Sequence, residues 1–244
     1  MCLLAMLYRS VAGFPLIVAA NRDEYYDRPG SEPGFISPKV VAGRDKRAGG
    51  TWLGVNVPAG RIVGLTNVHS SIPADPRARS RGLLCMELLL ADPQHDIKQQ
   101  LKQQLAQSQH NPFNLLFATA GSAWIACWHD NALVVEDIKP GLCVLTNTPA
   151  FAPADARARW TWSMIKAGDS IEGIITGLER VCRSHGVLPD GSDALCVHGG
   201  KSGTLSSTII AIGDNQPSRY LHAQGPPCRS AYKDYSFLLA KERG

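Results

Sequence analysis

The sequence lacks several features that would mark a membrane or nucleic-acid-binding protein. No apolar run approaches the roughly 18 residues of a membrane-spanning helix, and the first predicted strand is too short, with flanks too polar, for a secretory signal. The net charge of +4 is spread along the chain. The one arginine cluster, "ADPRARSRG", has no interleaved aromatic residues. We therefore expect a cytoplasmic protein that is not an integral membrane protein and does not bind nucleic acid.

The sequence also lacks the common patterns of a metal or disulfide framework. It contains no CxxC pair and no HExxH, which predicts that no structural zinc site is present. Seven cysteines are an odd number, and most stand inside apolar runs such as "LLCMELLL" and "WIACWHD". This usage is typical of buried thiols in a reducing compartment.

What the sequence does contain is a mixture of strand and helix patterns without a linker or repeat. Apolar segments over 2–9 and 15–20 predict an opening hairpin whose second strand ends at the polar run "NRDEYYDRP". Helical patterns occupy regions near 80–107 and 154–185, and a closing hairpin follows from 207 to 225. This order predicts one α+β domain over residues 1–244, with stacked sheets covered by helices.

Four residues at strand termini are candidates for catalysis. Cys2 would become an amino-terminal residue if Met1 were removed, and a cysteine is small enough to permit that removal. Its thiol could then act as a nucleophile with its own amine as the base. Asp23 could hold that amine, and the amides of Asn67 in "GLTN" and Asn147 in "VLTN" could stabilise an oxyanion.

Each of these residues also has a simpler interpretation. A cysteine near a strand start is usually a packed small hydrophobe, and an asparagine at a strand end is commonly a turn former. Asp23 could form a surface ion pair with its neighbour Arg22. Taken singly, these simpler interpretations are favoured, and only the combination of the four residues suggests a catalytic site.

Several blocks resemble the NRDE family, the family of transport and Golgi organisation protein 2. They are the initial Met-Cys, "AANRDEYYDRP", "AGRDKRAGGTWLGVN", "GLTN", "SRG" and "LSSTI". This resemblance implies the N-terminal-nucleophile hydrolase fold, a four-layer α-β-β-α sandwich of two mainly antiparallel sheets.

A more distant resemblance links the chain to conjugated bile acid hydrolases and penicillin V acylases. "AANRD", "GLTN" and "LTNTP" are similar to three of their segments, which implies catalytic roles for Cys2, Asp23, Asn67 and Asn147. The chain also departs from those enzymes. Ala20 stands where their turn has an arginine, and Arg229 is the candidate for their late arginine.

The NRDE resemblance implies ligand carriage before catalysis. Members of the family are connected with haem trafficking and with lipid or acyl-coenzyme A handling, so the expected partner is an amphiphilic small molecule, with haem as cargo and no required cofactor. An N-terminal-cysteine amidohydrolase that uses Cys2 after Met1 removal is the alternative. The residues expected to contact a ligand around Cys2 are Asn21, Arg22, Glu24, His69 and Arg81, with His69 or Cys2 as the candidate axial ligand of haem.

Overall fold

The computed structural model describes residues 2–92, 94–165, 170–188, 191 and 194–240. Within these residues the chain forms thirteen strands, four α-helices and a short 3₁₀ helix, Ser236–Leu239. The strands are β1 (Leu3–Val11), β2 (Phe14–Tyr25), β3 (Gly34–Ser37), β4 (Val40–Ala42), β5 (Leu53–Asn56), β6 (Arg61–Asn67), β7 (Phe113–Ala118), β8 (Ala123–His129), β9 (Ala132–Asp137), β10 (Gly141–Leu145), β11 (Ser202–Ile212), β12 (Arg219–Gln224) and β13 (Lys233–Asp234). The helices are α1 (Arg81–Leu90), α2 (Ile97–Gln107), α3 (Ala156–Met164) and α4 (Ile171–Arg183).

The strands form two antiparallel sheets. One has six strands in the order β10-β1-β2-β11-β12-β13, and the other has seven in the order β3-β4-β5-β6-β7-β8-β9. Alternate residues of the central strands face the space between the sheets, where Leu4, Met6 and Val18 pack with Leu53 and Ile62. The α+β sandwich and the opening hairpin are confirmed.

The helices cover the outer face of each sheet. Leu84 and Leu88 of α1 pack on the seven-stranded sheet together with α2, whereas Ile174 and Leu178 of α4 pack on the six-stranded sheet. The predicted helical regions therefore each contain a helix pair, although residues 166–169 between α3 and α4 lie outside the described part. In that part of the chain, no helix has the length and apolar character needed to span a bilayer.

The second strand is longer than the sequence predicts. The first five residues of the polar run that was expected to end it, Asn21 to Tyr25, lie inside β2. The reason is pairing with β11, in which Asn21 faces Ser207 and Asp23 faces Thr204 across a bulge between Thr204 and Ser206. The polar residues of this run are thus held in a sheet, where backbone bonds fix their direction.

A close backbone approach positions the amino end of α1. A Cβ on Gly50 would lie 2.2 Å from the carbonyl carbon of Gly82. Only glycine fits at such a contact. The "AGG" and "SRG" blocks therefore place α1, and with it Arg81, directly against the loop that precedes β5.

A side chain from β6 caps the carboxyl end of α1. Arg61 is buried, and its Nη1 donates hydrogen bonds to the carbonyl oxygens of Leu88, Leu89 and Ala91 at 3.0, 3.2 and 2.6 Å. A guanidinium is suited to this position because the last carbonyls of a helix have no partner within it.

Candidate functional site

The two "LTN" segments lie side by side, one at the end of each sheet. Thr66 Oγ1 donates to the carbonyl oxygen of Thr146 at 2.6 Å, and Asn147 Nδ2 donates to the carbonyl oxygen of Asn67 at 2.6 Å. The backbone N–H of His69 completes the connection by donating to the carbonyl oxygen of Asn147 at 2.8 Å. The ends of β6 and β10 are therefore joined across the sandwich, and both asparagines lie at one site.

Asn114 of β7 supports this junction, although it is not among the site residues predicted from the sequence. It is fully buried, and its Nδ2 donates to the carbonyl oxygen of Thr148 at 2.8 Å and contacts Thr66 Oγ1 and the Thr146 carbonyl at 3.2 Å each. Its Oδ1 accepts from the N–H of Ala150 at 2.8 Å. A polar residue inside the apolar run "NLLFA" is the signal that could have identified it.

Cys2 lies at this junction. Its backbone nitrogen donates to Asn147 Oδ1 at 2.7 Å, and its Sγ lies 3.6 Å from the carbonyl oxygen of Asp23. Burial raises the pKa of the Cys2 thiol, and the nearby carboxylate of Asp23 raises it further. With Met1 attached, the thiol is therefore kept protonated rather than activated.

Asp23 is buried beside Cys2 and has two described partners for its carboxylate. Thr204 Oγ1 donates to Oδ1 at 2.6 Å, and Arg157 Nη2 lies 3.5 Å from Oδ2. Burial raises the pKa of the Asp23 carboxyl, while Arg157 and the Thr204 hydrogen bond oppose that shift. Asp23 is only 4% exposed, so its carboxylate depends on protein partners such as these.

The arginine of this site is Arg157 in the first turn of α3. It is buried, with 4% exposure, and its Nη1 donates to Asn147 Oδ1 at 3.4 Å while Nη2 faces Asp23. Arg229 was the residue predicted from the sequence for an arginine near the nucleophile. Arg229 is exposed, and its charge acts on His198 instead. The sequence feature that could have identified Arg157 as a site residue is its position in "PADARARW", at a helix start soon after the second "LTN".

Two of the predicted ligand contacts, Arg22 and Glu24, belong to an ion-pair network beside the site. Arg22 stacks on the Trp52 ring at 4.6 Å and lies 3.6 Å from Asp45 Oδ2 and 4.0 Å from Glu24 Oε2. Arg28 pairs with the same two carboxylates. Both predicted residues thus have protein partners in place.

Asn21 lies apart from the other predicted site residues. Its Nδ2 donates to the carbonyl oxygens of Cys182 and Leu195 at 2.9 and 2.7 Å. These partners lie at the outer face of the sheet, where α4 packs. The contacts give Asn21 a structural role in anchoring the carboxyl end of α4.

Three predicted residues remain at the rim of the site. Asn67 is half-buried, and its side-chain amide makes no hydrogen bond within the described part of the chain. His69 is exposed as a whole residue, but partial burial of its ring lowers its pKa, and the positive charge of Arg157 lowers it further. Arg81 is half-buried and donates from Nη1 to the carbonyl oxygen of Pro112 at 2.8 Å. The rim therefore offers amide, imidazole and guanidinium groups.

Comparison with known proteins gives the evolutionary context. The family model "Transport and Golgi organisation 2" matches residues 1–222. A transport and Golgi organization 2 homolog of Mus musculus is 33% identical over 234 residues, covering 83% of each chain. A Bos taurus homolog is 34% identical over 144 residues, covering 55% of this chain and 51% of its own.

A solved structure supports the fold. The Caenorhabditis elegans ortholog of N-acylethanolamine-hydrolyzing acid amidase superposes with a TM-score of 0.51 at 14% identity, covering 88% of this chain and 94% of its own. This likeness shows the N-terminal-nucleophile type of fold that the sequence resemblance implied. The match of the family model over most of the chain decides its membership: the chain belongs to the Transport and Golgi organisation 2 family.

Proposed function

We propose that this protein is an N-terminal-cysteine amidohydrolase, active after removal of Met1 and directed at the amide bond of an amphiphilic N-acyl compound. The observation that carries the proposal is the 2.7 Å hydrogen bond from the Cys2 nitrogen to Asn147 Oδ1. This hydrogen bond would hold a free Cys2 amine next to the Cys2 thiol, and the amine must deprotonate that thiol.

The first chemical step uses the two functional groups of Cys2. Its amine takes the thiol proton, and the thiolate attacks the substrate carbonyl carbon to form a C–S bond. Asn147 accepts from the amine, while the carboxylate of Asp23 balances the resulting ammonium. Arg157 keeps both partners in place through its contacts with Asp23 and Asn147.

The next steps release the two products. Asn67 is suited to donate to the developing oxyanion because its side-chain amide has no partner in the described chain. Collapse of the tetrahedral intermediate breaks the C–N bond, and the ammonium proton leaves with the amine product. Water then attacks the Cys2 thioester, the Cys2 amine accepts the proton of that water, and transfer of this proton to the sulfur restores the thiol as the carboxylic acid departs.

The substrate class is drawn from the structural neighbour and from the rim. That neighbour is named as an ortholog of N-acylethanolamine-hydrolyzing acid amidase. The rim groups Arg81 and His69 would contact the polar part of such a compound, whereas its acyl chain requires apolar surface. Two described cavities, of about 560 and 440 Å³, lie beside α4 and are not lined by Cys2 or Asn67.

Carriage of haem or an acyl-coenzyme A without turnover is the second candidate. It is favoured by the same rim, since an amide, an imidazole and a guanidinium are the groups that bind propionates or phosphates and ligate iron. The curated relatives are also named for transport. In this function Cys2 would contact the ligand, but its nucleophilicity would not be used.

The two functions are separated by an assay on protein with and without Met1. Wild type, Cys2→Ala and the control Cys143→Ala, which changes another partly buried cysteine, would be treated with methionine aminopeptidase. They would then be offered long-chain N-acylethanolamines, while haem and acyl-coenzyme A binding would be titrated separately.

The amidohydrolase proposal predicts turnover by Met1-free wild type and by Cys143→Ala, and a loss of about 1,000-fold or more in Cys2→Ala, because the nucleophile acts in the transition state. Saturable ligand binding with no cysteine-dependent turnover in any sample would overturn it in favour of carriage.

A further inference from the structure

A cluster of three metal-ligating side chains lies apart from the contacts of Cys2. Cys196 and His198 precede β11, and Cys228 follows β12. Their ligand atoms lie within 4.8 Å of one another. The burial is graded, with Cys196 buried, Cys228 half-buried and His198 exposed. Such a cluster can be reached from solvent on one side and is closed by protein on the other.

The separations within the cluster fit one tetrahedral ion. The two sulfurs are 3.6 Å apart, and His198 Nε2 lies 3.7 Å from Cys196 Sγ and 3.1 Å from Cys228 Sγ. With zinc bonds of about 2.3 Å to sulfur and about 2.0 Å to nitrogen, a tetrahedron requires about 3.8 Å between sulfurs and about 3.5 Å between sulfur and nitrogen. Shifts of a few tenths of an ångström would therefore complete it.

The backbone holds the first two ligands rigidly. The N–H of Val197 donates to Thr204 Oγ1, and the N–H of Thr204 donates to the carbonyl oxygen of Val197, both at 2.9 Å. His198 also forms an isolated antiparallel bridge with Gly203. These bonds hold the segment against the start of β11, with Cys196 Sγ and His198 Nε2 3.7 Å apart.

The third ligand is brought in by a turn after β12. The N–H groups of Arg229 and Ser230 donate to the carbonyl oxygen of Pro226 at 3.0 and 2.9 Å. Gly225 has a φ of +121° and its N–H donates to the carbonyl oxygen of Leu205. The turn is thereby folded back onto β11, and Cys228 lies within it.

We propose that Cys196, His198 and Cys228 bind one Zn²⁺ ion. Two thiolates and an imidazole are ligands that suit zinc, and their combined charge neutralises it. The fourth position is taken by solvent or by His185, whose ring centroid lies 5.9 Å from that of His198. The sequence gives only C-x-H and a cysteine 30 residues later, which does not match the usual paired zinc motifs.

The zinc site would lock the start of β11 to the turn after β12. It would also act on the candidate active site through one residue, because Thr204 Oγ1 accepts from Val197 and donates to Asp23 at 2.6 Å. Bound zinc would therefore help to hold Thr204 in the position from which it donates to Asp23.

Zinc titration of the reduced, chelator-treated protein tests the proposal. A competing chromophoric chelator gives stoichiometry and affinity, and Co²⁺ in place of Zn²⁺ gives the visible bands of a tetrahedral thiolate site. We expect one ion per chain. We expect Cys196→Ser, Cys228→Ser and His198→Gln each to weaken binding by more than about 100-fold, since outer-shell changes alone cost about 10–100-fold. The control variant Cys143→Ser should bind zinc with the same affinity as wild type.

Two further readouts keep the test decisive. Circular dichroism and the thermal midpoint of the metal-free variants check that they remain folded, and zinc should raise the midpoint of wild type but not of the three ligand variants. The proposal is overturned by sub-stoichiometric binding or by equal affinity in wild type and the ligand variants. It is also overturned if the reduced protein binds no zinc and instead forms a Cys196–Cys228 disulfide on oxidation.

Discussion

The Thr66 hydroxyl donates a 2.6 Å hydrogen bond to the carbonyl oxygen of Thr146, joining the last residues of β6 to those that follow β10. These strands belong to different sheets. The bond therefore joins the two sheets next to Asn67, the last residue of β6, and Asn147, which follows β10. Because both asparagines depend on this junction, its stability and the geometry of the candidate active site are coupled.

Asn114→Ala should weaken this junction. The change removes the donor to three oxygen atoms and leaves the N–H of Ala150 without its acceptor. Since an unsatisfied buried polar group costs about 1–3 kcal/mol, we expect the free energy of unfolding to fall by at least that amount in urea denaturation. Gln103→Ala, an exposed change in α2, is the control and should stay within about 0.5 kcal/mol. Equal stabilities of the two variants would contradict the importance of the junction.

Gly50→Ala tests the backbone contact between the loop before β5 and α1. The new methyl group would meet the Gly82 carbonyl carbon at 2.2 Å, and backbone cannot move aside as a side chain can. We expect a loss of about 1–3 kcal/mol or more in unfolding free energy. Gly34→Ala is the matched control, because nothing lies within 4 Å of its added methyl group. A neutral Gly50→Ala would show that this approach is looser than described.

Arg157→Met tests the buried charge pair. The methionine would leave Asp23 with the Thr204 hydrogen bond but without its guanidinium partner, and breaking a buried pair from one side costs about 3–5 kcal/mol. Arg159→Met, an exposed change in the same helix, should alter stability by less than about 0.5 kcal/mol. Adding Asp23→Asn to Arg157→Met should restore part of the loss. An additive double-mutant cycle would contradict direct coupling of the two residues.

We predict that His222 makes a contribution to folding stability that is lost in acid. Its ring is buried between Thr208 and Gln224, with 2.9 Å contacts at Nδ1 and Nε2. Burial lowers its pKa below the ordinary 6.5, although the Gln224 bond opposes the shift. The unfolded chain therefore binds more protons below pH 6.5, so folding stability must fall as pH drops through that value.

The measurement for His222 is the unfolding free energy of wild type and His222→Gln between pH 7.5 and about 4. The wild-type advantage should decrease on acidification from about pH 6.5, by at most about 1.4 kcal/mol per pH unit, and level off below the folded pKa. A difference that is flat with pH would show that the folded and unfolded pKa values of this ring are equal.

Much of the fold could be predicted from the sequence because hydrophobic periodicity reports burial directly. The opening hairpin, both helix pairs and the closing hairpin follow from apolar spacing and turn residues. The extent of β2 did not, since Asn21 to Glu24 are polar and their strand conformation comes from pairing with β11. The short strands β3 and β4 lie in and beside a Gly/Pro-rich stretch, and they form by pairing with each other and, for β4, with β5.

The candidate site could be predicted only in part. Cys2, Asp23 and the two asparagines stand at recognisable strand positions, and the structure joins Cys2 to Asn147 and to the Asp23 backbone, and Asn147 to the Asn67 backbone. Their catalytic roles stay a prediction. Arg157 did not emerge because a buried arginine in a helix has the same local pattern as an exposed one, and Arg159 two residues later is such a case. The Cys196, His198 and Cys228 cluster was missed for a similar reason, since it depends on a turn that brings distant residues together.

Trapping of an acyl group on Cys2 tests the proposed amidohydrolase activity directly. Met1-free wild type would be mixed with a long-chain N-acylethanolamine and quenched in acid within the first turnovers, and its peptides would be analysed by mass spectrometry. We expect a thioester-linked acyl group on the peptide that begins with Cys2. This group should be absent from Met1-bearing protein and from Cys2→Ala. Hydrolysis that proceeds unchanged in Cys2→Ala, or Met1-free protein that remains unacylated and inactive toward the substrate, would contradict it.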